Sequence, residues 1–490
     1  MDIAAQDGWE AAAAVLEAHW DRLATTAPQH LLAAIRALPG DAFVDRPTFL
    51  VAANYLQHVM TGGDTSRFND NGWLDATMTG SDLGLMDTLG LLTGRSAGAR
   101  TSGKLAQARQ AAERARSAFE RASEAERSSI RASLPHFRLQ WGRAFEMADA
   151  SGAESEYEEA YELAILTDQM TVGRRAAAHR AWMNAERGYL RAAELWLARA
   201  LDQPAANGRY DAILFLTTAL LRLDRGDHAG ATRELARVRG LGDGEHWAAA
   251  LWVQSMHAHD RASGAIADAQ LAHEMSRHPE TVSSSGANGR YVRAARARLA
   301  VLRSQVSRTP NVNPAASSTD KVIAAALANG GGSRHRALEI VRPAIAPEEP
   351  TRIRSTALLI TAAAALNLDL IESAKQAFIQ AHALIEDERL YSAYESIPSD
   401  DLRKLADLTS RELPDVSSPF RRAAEHSSAL TRREHEVLTM LALPKSMLEL
   451  SAELYISPNT LKATIRRLYR KLDVNSRAAA VDTARQAGLI

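Results

Sequence analysis

Cysteine is absent from the 490 residues, which excludes a disulfide framework and any thiolate nucleophile or thiolate metal ligand. No apolar stretch approaches the 18 residues needed to span a bilayer, and Met1-Asp2-Ile3-Ala4-Ala5-Gln6-Asp7 has neither the basic region nor the apolar core of a secretory signal. These absences lead to the expectation of a cytoplasmic chain without membrane association. Alternating apolar and polar runs are missing too, which excludes strands and with them a receiver-type fold of alternating strands and helices. No nucleophile, base and orienting group can be nominated together, so no enzymatic activity and no cofactor are expected. The net charge of −1 favours no partner class, but it is unevenly spread. Residues 421–490 hold 12 Lys plus Arg against 7 Asp plus Glu, so only the C-terminal end is biased toward nucleic acid.

What is present is helical periodicity. Alanine-rich runs at 10–36, 104–132, 154–200, 290–306, 320–342, 351–386 and 399–410 predict an all-α protein. Breaks are expected at 61–103, which holds nine of the 28 glycines, and at 283–289, 309–318 and 413–418. Gly188, Gly226 and Gly264 stand 38 residues apart, with Ala193, Ala231 and Ala269 five residues after each. The spacing predicts a repeated helical hairpin in which glycine makes the turn and alanine lets two helices approach. Asp369, Ala374, Ala377 and Phe378 suggest a further copy. The pattern resembles the tetratricopeptide repeat, which implies an α-solenoid of stacked helix pairs that can bind a small-molecule or protein effector. Trp182, Trp196, Trp247 and Trp252 fall in this region and are expected between helices.

Two apparent chemical motifs do not hold their chemistry. Gly98-x4-Gly103-Lys104 imitates a phosphate-binding loop, but Leu105 occupies the position of the magnesium-ligating hydroxyl. His273 and His278 are five residues apart and point to different helix faces, which is unsuited to a shared metal.

The last sixty residues are the most specific. Ser446-x-x-Glu449 and Thr431-x-x-Glu434 read as capping boxes, each followed by an apolar run. Ser457-Pro458 opens a third helix, expected to reach Leu472, with five basic residues and no acidic one. Leu461, Ile465, Leu468 and Leu472 form its apolar stripe, and Asn459, Ala463, Arg466, Arg467 and Arg470 lie opposite. Only Tyr455 and Ile456 separate it from the second helix, a spacing that fits a helix-turn-helix. A fourth helix is expected from about Asn475 to Gly488.

Leu430-Thr431-Arg432-Arg433-Glu434, Val437-Leu438, Ser457-x-Asn459-Thr460-Leu461-Lys462, Tyr469-Arg470-Lys471-Leu472, Val474 and Ser476-Arg477-Ala478 together resemble the LuxR-type DNA-binding domain. The sequence departs from the family pattern at Pro444, Leu450-Ser451, Leu461 and Thr464. The resemblance implies a sequence-specific transcriptional regulator on double-stranded promoter DNA. It assigns Lys462, Ala463 and Arg466 to base edges, and Thr460, Arg467 and Arg470 to phosphates. It further implies a homodimer on DNA through the fourth helix, with Ala478, Ala479, Val481 and Ala484 as the contact face. The expected organisation is an N-terminal helical region with a glycine-rich segment over 1–103, a helical-repeat sensor over 104–412, a linker at 413–428 and the DNA-binding domain at 429–490. A repeat scaffold that binds proteins and not DNA is the alternative.

Overall fold

The computed structural model describes residues 8–39, 83–204, 211–241, 244–258, 261–278, 286–302, 316–414, 432–443, 445–454, 456–471, 474 and 476–486, with isolated positions at 42, 49, 52, 53 and 56. Among these residues every regular element is helical. The chain falls into two compact units, the first drawn from residues 1–221, 229–250 and 274–292, the second from 222–228, 251–273 and 293–490.

In the first unit, successive helices pair across short turns: Leu85–Thr101 with Leu105–Arg121, Leu134–Met147 with Ala153–Leu166, and Met170–Arg187 with Leu190–Leu201. The turns reuse one device. Gly188 adopts φ 84° and ends its helix in a left-handed cap, the Tyr189 N–H donating to the Asn184 carbonyl at 2.9 Å. Asp149 and Asp168 take the same left-handed conformation, with matching bonds from Ala150 to Phe145 (2.9 Å) and from Gln169 to Ala164 (2.8 Å). Aspartate tolerates this region better than most residues, because its short polar side chain can bond locally.

Alanine dominates the packing. Ala108, Ala112, Ala115, Ala153, Ala160, Ala164 and Ala176 are buried around Trp141, Phe145 and Tyr157, so helix backbones come close where larger side chains would hold them apart. Gly142 carries this furthest: a Cβ built there would sit 2.8 Å from the Tyr157 ring.

The Tyr157 hydroxyl donates to the Glu146 carboxylate, which also accepts from His179 Nδ1 at 2.8 Å; the Tyr157 and His179 rings stack at 5.1 Å, and His246 lies 5.3 Å from His179. Burial raises the Glu146 carboxyl, but the charge and hydrogen bond of His179 outweigh it and hold Glu146 at about 2. Loss of surrounding water, then the neighbouring His179, brings His246 down to about 3, and burial lowers His179 as well, against the opposing pull of Glu146. Neither sequence periodicity nor any motif pointed to this cluster.

The structure revises several expectations. Residues 85–101 form a helix in spite of Gly90, Gly94 and Gly98, where a break was expected. That helix shares a core with the following one, so the expected boundary at 103/104 falls in the turn of a helix pair. The phosphate-loop resemblance ends here as well: Gly98 is helical, and its carbonyl accepts from the Ser102 hydroxyl at 2.7 Å. Gly226 has φ 79° in the turn before helix His228–Leu241, as expected, and both Ala193 and Ala231 are buried. Gly264 differs. It lies inside helix Arg261–Arg277, where Ala267 and Leu271 are buried and Ala269 is exposed, so the third glycine makes no turn and its alanine is not at a buried helix contact.

Trp182, Trp196 and Trp247 are interhelical, as expected. Trp182 Nε1 donates to the Tyr291 hydroxyl at 3.1 Å, Trp196 meets Tyr161 edge-on at 5.4 Å, and Trp247 stacks on His278 at 4.5 Å. Trp252 is half-buried, with the Arg352 guanidinium 5.8 Å from its ring.

In the second unit, Thr351–Leu366 and Ile371–Glu388 form a pair whose left-handed turn residue is Asp369, with Ala374 and Phe378 buried as the spacing predicts. Fully buried Asp224 is satisfied by a two-pronged Arg352 (2.8 and 2.6 Å) and by the Ser392 hydroxyl. An ion with this many donors is tolerable inside a protein, whereas removal of the arginine alone would strand a buried charge. The expected linker 413–428 lies outside the described residues beyond 414.

Candidate nucleic-acid interface

Four helices make the C-terminal domain: Arg432–Leu441, Met447–Glu453, Pro458–Lys471 and Arg477–Gln486. They close on their own core of Val437, Leu438, Leu441, Leu450, Leu461, Ile465, Leu468, Ala480, Val481 and Ala484. Local chemistry starts the second and third helices. Ser446 Oγ accepts from the Glu449 N–H at 3.3 Å, and Glu449 reaches back to the Ser446 N–H at 2.7 Å, a reciprocal cap. Ser457 Oγ accepts from the Thr460 N–H at 3.1 Å, and proline follows at the first helical position. The Thr431 half of the other expected box, the position of Tyr455 and the loop residue Pro444 lie outside the described residues.

The third helix divides as its periodicity predicts. Leu461, Ile465 and Leu468 are buried, while Asn459, Thr460, Lys462, Ala463 and Arg466 are exposed. Leu472 and the side chains of Arg467 and Arg470 are outside the described residues. Lys462 and Arg466, one turn apart, make no hydrogen bond or ion pair among the described residues, and Ala463 lies on the same exposed side. Two acidic side chains of the domain are paired with other cations, Glu453 with Lys445 and Glu436 with Arg433. The result is two free cations flanking a methyl group on a rigid helix, the donor and apolar set that suits guanine O6 and N7 and a thymine methyl in a major groove.

Two departures from the family pattern have a local explanation. Thr464 is buried, and its hydroxyl donates back to the Thr460 carbonyl at 2.9 Å; Ser451, also buried, donates to Leu448 at 2.8 Å. Each hydroxyl is satisfied within its own helix, so neither leaves a polar group stranded in the packing.

One positioning residue was not legible in its role. Arg477, read in sequence only as part of Ser476-Arg477-Ala478, spreads its guanidinium over the end of the first helix and the loop after it. It donates to the Leu441 carbonyl at 2.9 Å, to Lys445 at 2.7 Å and to Leu443. It thereby ties Leu443 and Lys445 to the fourth helix.

The expected dimer face needs correction. Val481 is nearly buried and Ala484 fully so in the domain's own core, so neither is available to a partner. Ala479 is half-buried, with its N–H on Ser476 Oγ, and of the four only Ala478 is exposed. Among the described side chains of this helix, Ala478, Asp482 and Arg485 are exposed.

Among the described residues no helix is long and apolar enough to cross a membrane. Residues 428–484 match the family model of bacterial regulatory proteins, luxR family. Over 69 residues the chain is 45% identical to the "Probable transcriptional regulatory protein NarL" of Mycobacterium tuberculosis (strain H37Rv), a match covering 14% of this chain and 32% of that protein. Over 68 residues it is 37% identical to the "CsgBAC operon transcriptional regulatory protein" of Escherichia coli K12 and to the "Probable csgAB operon transcriptional regulatory protein" of Salmonella typhimurium, again covering 14% of this chain and 32% of each relative. The chain thus spans about a third of the length of these curated relatives. Residues 428–484 are therefore a helix-turn-helix domain of the luxR family of bacterial regulatory proteins.

Proposed function

We propose that this protein is a sequence-specific DNA-binding transcriptional regulator, whose C-terminal domain reads promoter DNA and whose helical remainder senses an effector. The observation that carries the reading is the exposed face of helix Pro458–Lys471, where Lys462, Ala463 and Arg466 stand free while the opposite stripe fixes the helix to its domain. In this arrangement the third helix lies in the major groove with Lys462 and Arg466 donating to base edges, while Thr460, Arg467 and Arg470 hold phosphates and set the register.

A homodimer on two half-sites is part of the proposal. With Val481 and Ala484 committed to the core, its contact face on the fourth helix is Ala478, Asp482 and Arg485. The sensing role rests on helix pairs with left-handed turns, a construction compatible with tetratricopeptide-like repeats. The reading assigns the chain no reaction and no cofactor, and a cytoplasmic location follows from it.

Genome-wide mapping of sites bound by the full chain tests the proposal. A recurrent, twofold-symmetric motif upstream of genes is expected, lost with Lys462→Ala and Arg466→Ala together. A bound set indistinguishable from input DNA would leave the protein-binding scaffold as the better reading.

A further inference from the structure

A cavity of about 720 Å³ opens in the first unit, between the N-terminal helices Trp9–Ala18 and Trp20–Thr26, the glycine-containing helix Leu85–Thr101, helix Leu134–Met147 and the turn before helix Met170–Arg187. This is within the size range of small-molecule sites. Its walls include Trp20, Phe49, Met86, Phe137 and Met170, and Gly90 and Gly94 turn bare backbone toward it. The glycines explain part of the volume: one turn apart on one helix face, each withholds a side chain that would otherwise fill the space.

The inner end is polar in a specific way. Gln140 is 3% exposed, and its Oε1 accepts from Arg100 Nη2 at 3.1 Å. A guanidinium has no acceptor, so the amide oxygen must face Arg100 and the amide nitrogen must face away. That Nε2 has no hydrogen-bond partner among the described residues, although Gln140 lines the cavity. Beside it, Thr93 Oγ1 accepts from Trp141 Nε1 at 2.8 Å, which leaves the hydroxyl proton to donate. A buried donor without a partner is costly, and a ligand oxygen would recover that cost.

The charge of the lining narrows the ligand. None of the described lining residues is lysine or arginine; Glu17 and Asp168 are acidic, and the basic groups among them are the imidazoles of His19 and His136. A phosphate or carboxylate would meet two carboxylates and no permanently charged lysine or arginine among these residues. We propose that this cavity binds a neutral, largely apolar small molecule whose carbonyl oxygen accepts from Gln140 Nε2 at the inner end. The proposal rests on the reading of the helical region as the effector-binding part of the chain, and it names the chemical class of that effector.

The test uses the full chain and two neutral fluorescent probes: prodan, a naphthalene ketone, and phenylnaphthylamine, which has no carbonyl. Both are expected to bind saturably at one per chain with blue-shifted emission. Gly94→Leu fills the cavity from a helix that gains propensity, and it is expected to weaken both probes at least about tenfold. Gln140→Leu is expected to weaken prodan about 2–10-fold, the loss of one hydrogen bond, and to leave phenylnaphthylamine within about twofold. Far-UV circular dichroism and the urea midpoint verify folding; should Gly94→Leu fail to fold, Met170→Trp fills the cavity from another wall. Absence of saturable binding, equal affinity in a folded filled variant, or equal weakening of both probes by Gln140→Leu overturns the proposal. Promoter binding is read separately on the same preparations. Retained DNA affinity with no probe binding removes the pocket and spares the regulator, whereas probe binding without DNA affinity does the reverse.

Discussion

Arg477 Nε donates to the Leu441 carbonyl at 2.9 Å and so ties the start of the fourth helix to the end of the first. The same guanidinium reaches Leu443 and Lys445, so a single side chain satisfies one carbonyl at a helix C-terminus, where cations are favoured, and two beyond it. Arg477→Ala should destabilise the C-terminal domain by about 1.5–3 kcal/mol. Arg477→Lys, with a point charge in place of a planar fork, should recover only part of this. Urea denaturation of residues 420–490, which have their own core, measures both; an unchanged midpoint in Arg477→Ala would remove its positioning role.

Within the third helix, two kinds of contact should separate by salt and by sequence. Lys462→Ala or Arg466→Ala should cost roughly 1–3 kcal/mol on the preferred site and much less on random duplex, relaxing specificity. Arg467→Ala or Arg470→Ala should weaken both duplexes alike and reduce the salt slope by about one unit per contact. Fluorescence anisotropy at several salt concentrations resolves the classes. Identical behaviour of Lys462→Ala and Arg467→Ala would mean that the helix reads no bases at Lys462.

The boundary between what was legible and what was not follows the range of the interactions. Capping hydroxyls at Ser446 and Ser457 and the stripe Leu461, Ile465, Leu468 act within a turn or two, so spacing alone revealed them. Arg477 acts across more than thirty residues, and no local pattern marks it. In the helix pairs, glycine was taken as the main turn signal and only Asp369 was read in its place, yet Asp149, Asp168 and Arg389 also adopt the left-handed conformation, while Gly264 is helical. The glycines of helix Leu85–Thr101 misled for the opposite reason: close tertiary packing overrides their weak helix propensity.

Gly142→Ala should destabilise the first unit in spite of the roughly 1 kcal/mol that alanine gains over glycine in a helix. The added carbon meets the Tyr157 ring at 2.8 Å, and that ring is held by its bond to Glu146 and its stack on His179. Overpacking of this kind costs about 1–3 kcal/mol. A calorimetric midpoint at or above wild type would show that the ring yields.

Stability of the same region should fall with acid. His179 and His246 have lowered pKa values in the fold, so the unfolded chain binds protons first, near pH 6.5, and the folded form loses stability as pH drops from there toward about 3, where His246 titrates. Glu146 acts in the same direction: its stabilisation is complete above the ordinary carboxylate range and is lost as pH falls toward about 2. Urea midpoints of wild type should therefore decline between pH 6.5 and 4, by up to about 1.4 kcal/mol per pH unit for each histidine. His246→Asn should flatten that decline; an unchanged slope would exclude His246 from it.

Arg389 caps helix Ile371–Glu388 at φ 58°, with no aspartate-like local bond to ease the conformation. Arg389→Gly should raise stability by up to about 1 kcal/mol, since glycine enters this region without steric cost. A lowered unfolding midpoint would point to a stabilising role for the arginine charge at that helix end.

The alanine-rich interior of the helix pairs gives the chain an uncommon pattern of tolerated change. In a leucine core the damaging substitution is the one that removes volume; here, where methyl groups at Ala112, Ala160 and Ala176 already set the distance between backbones, the damaging one adds it. Related chains that keep these helix pairs should therefore exchange alanine for glycine or serine at such positions and rarely for valine or leucine. Their exposed leucines, such as Leu166 and Leu195, are free to drift.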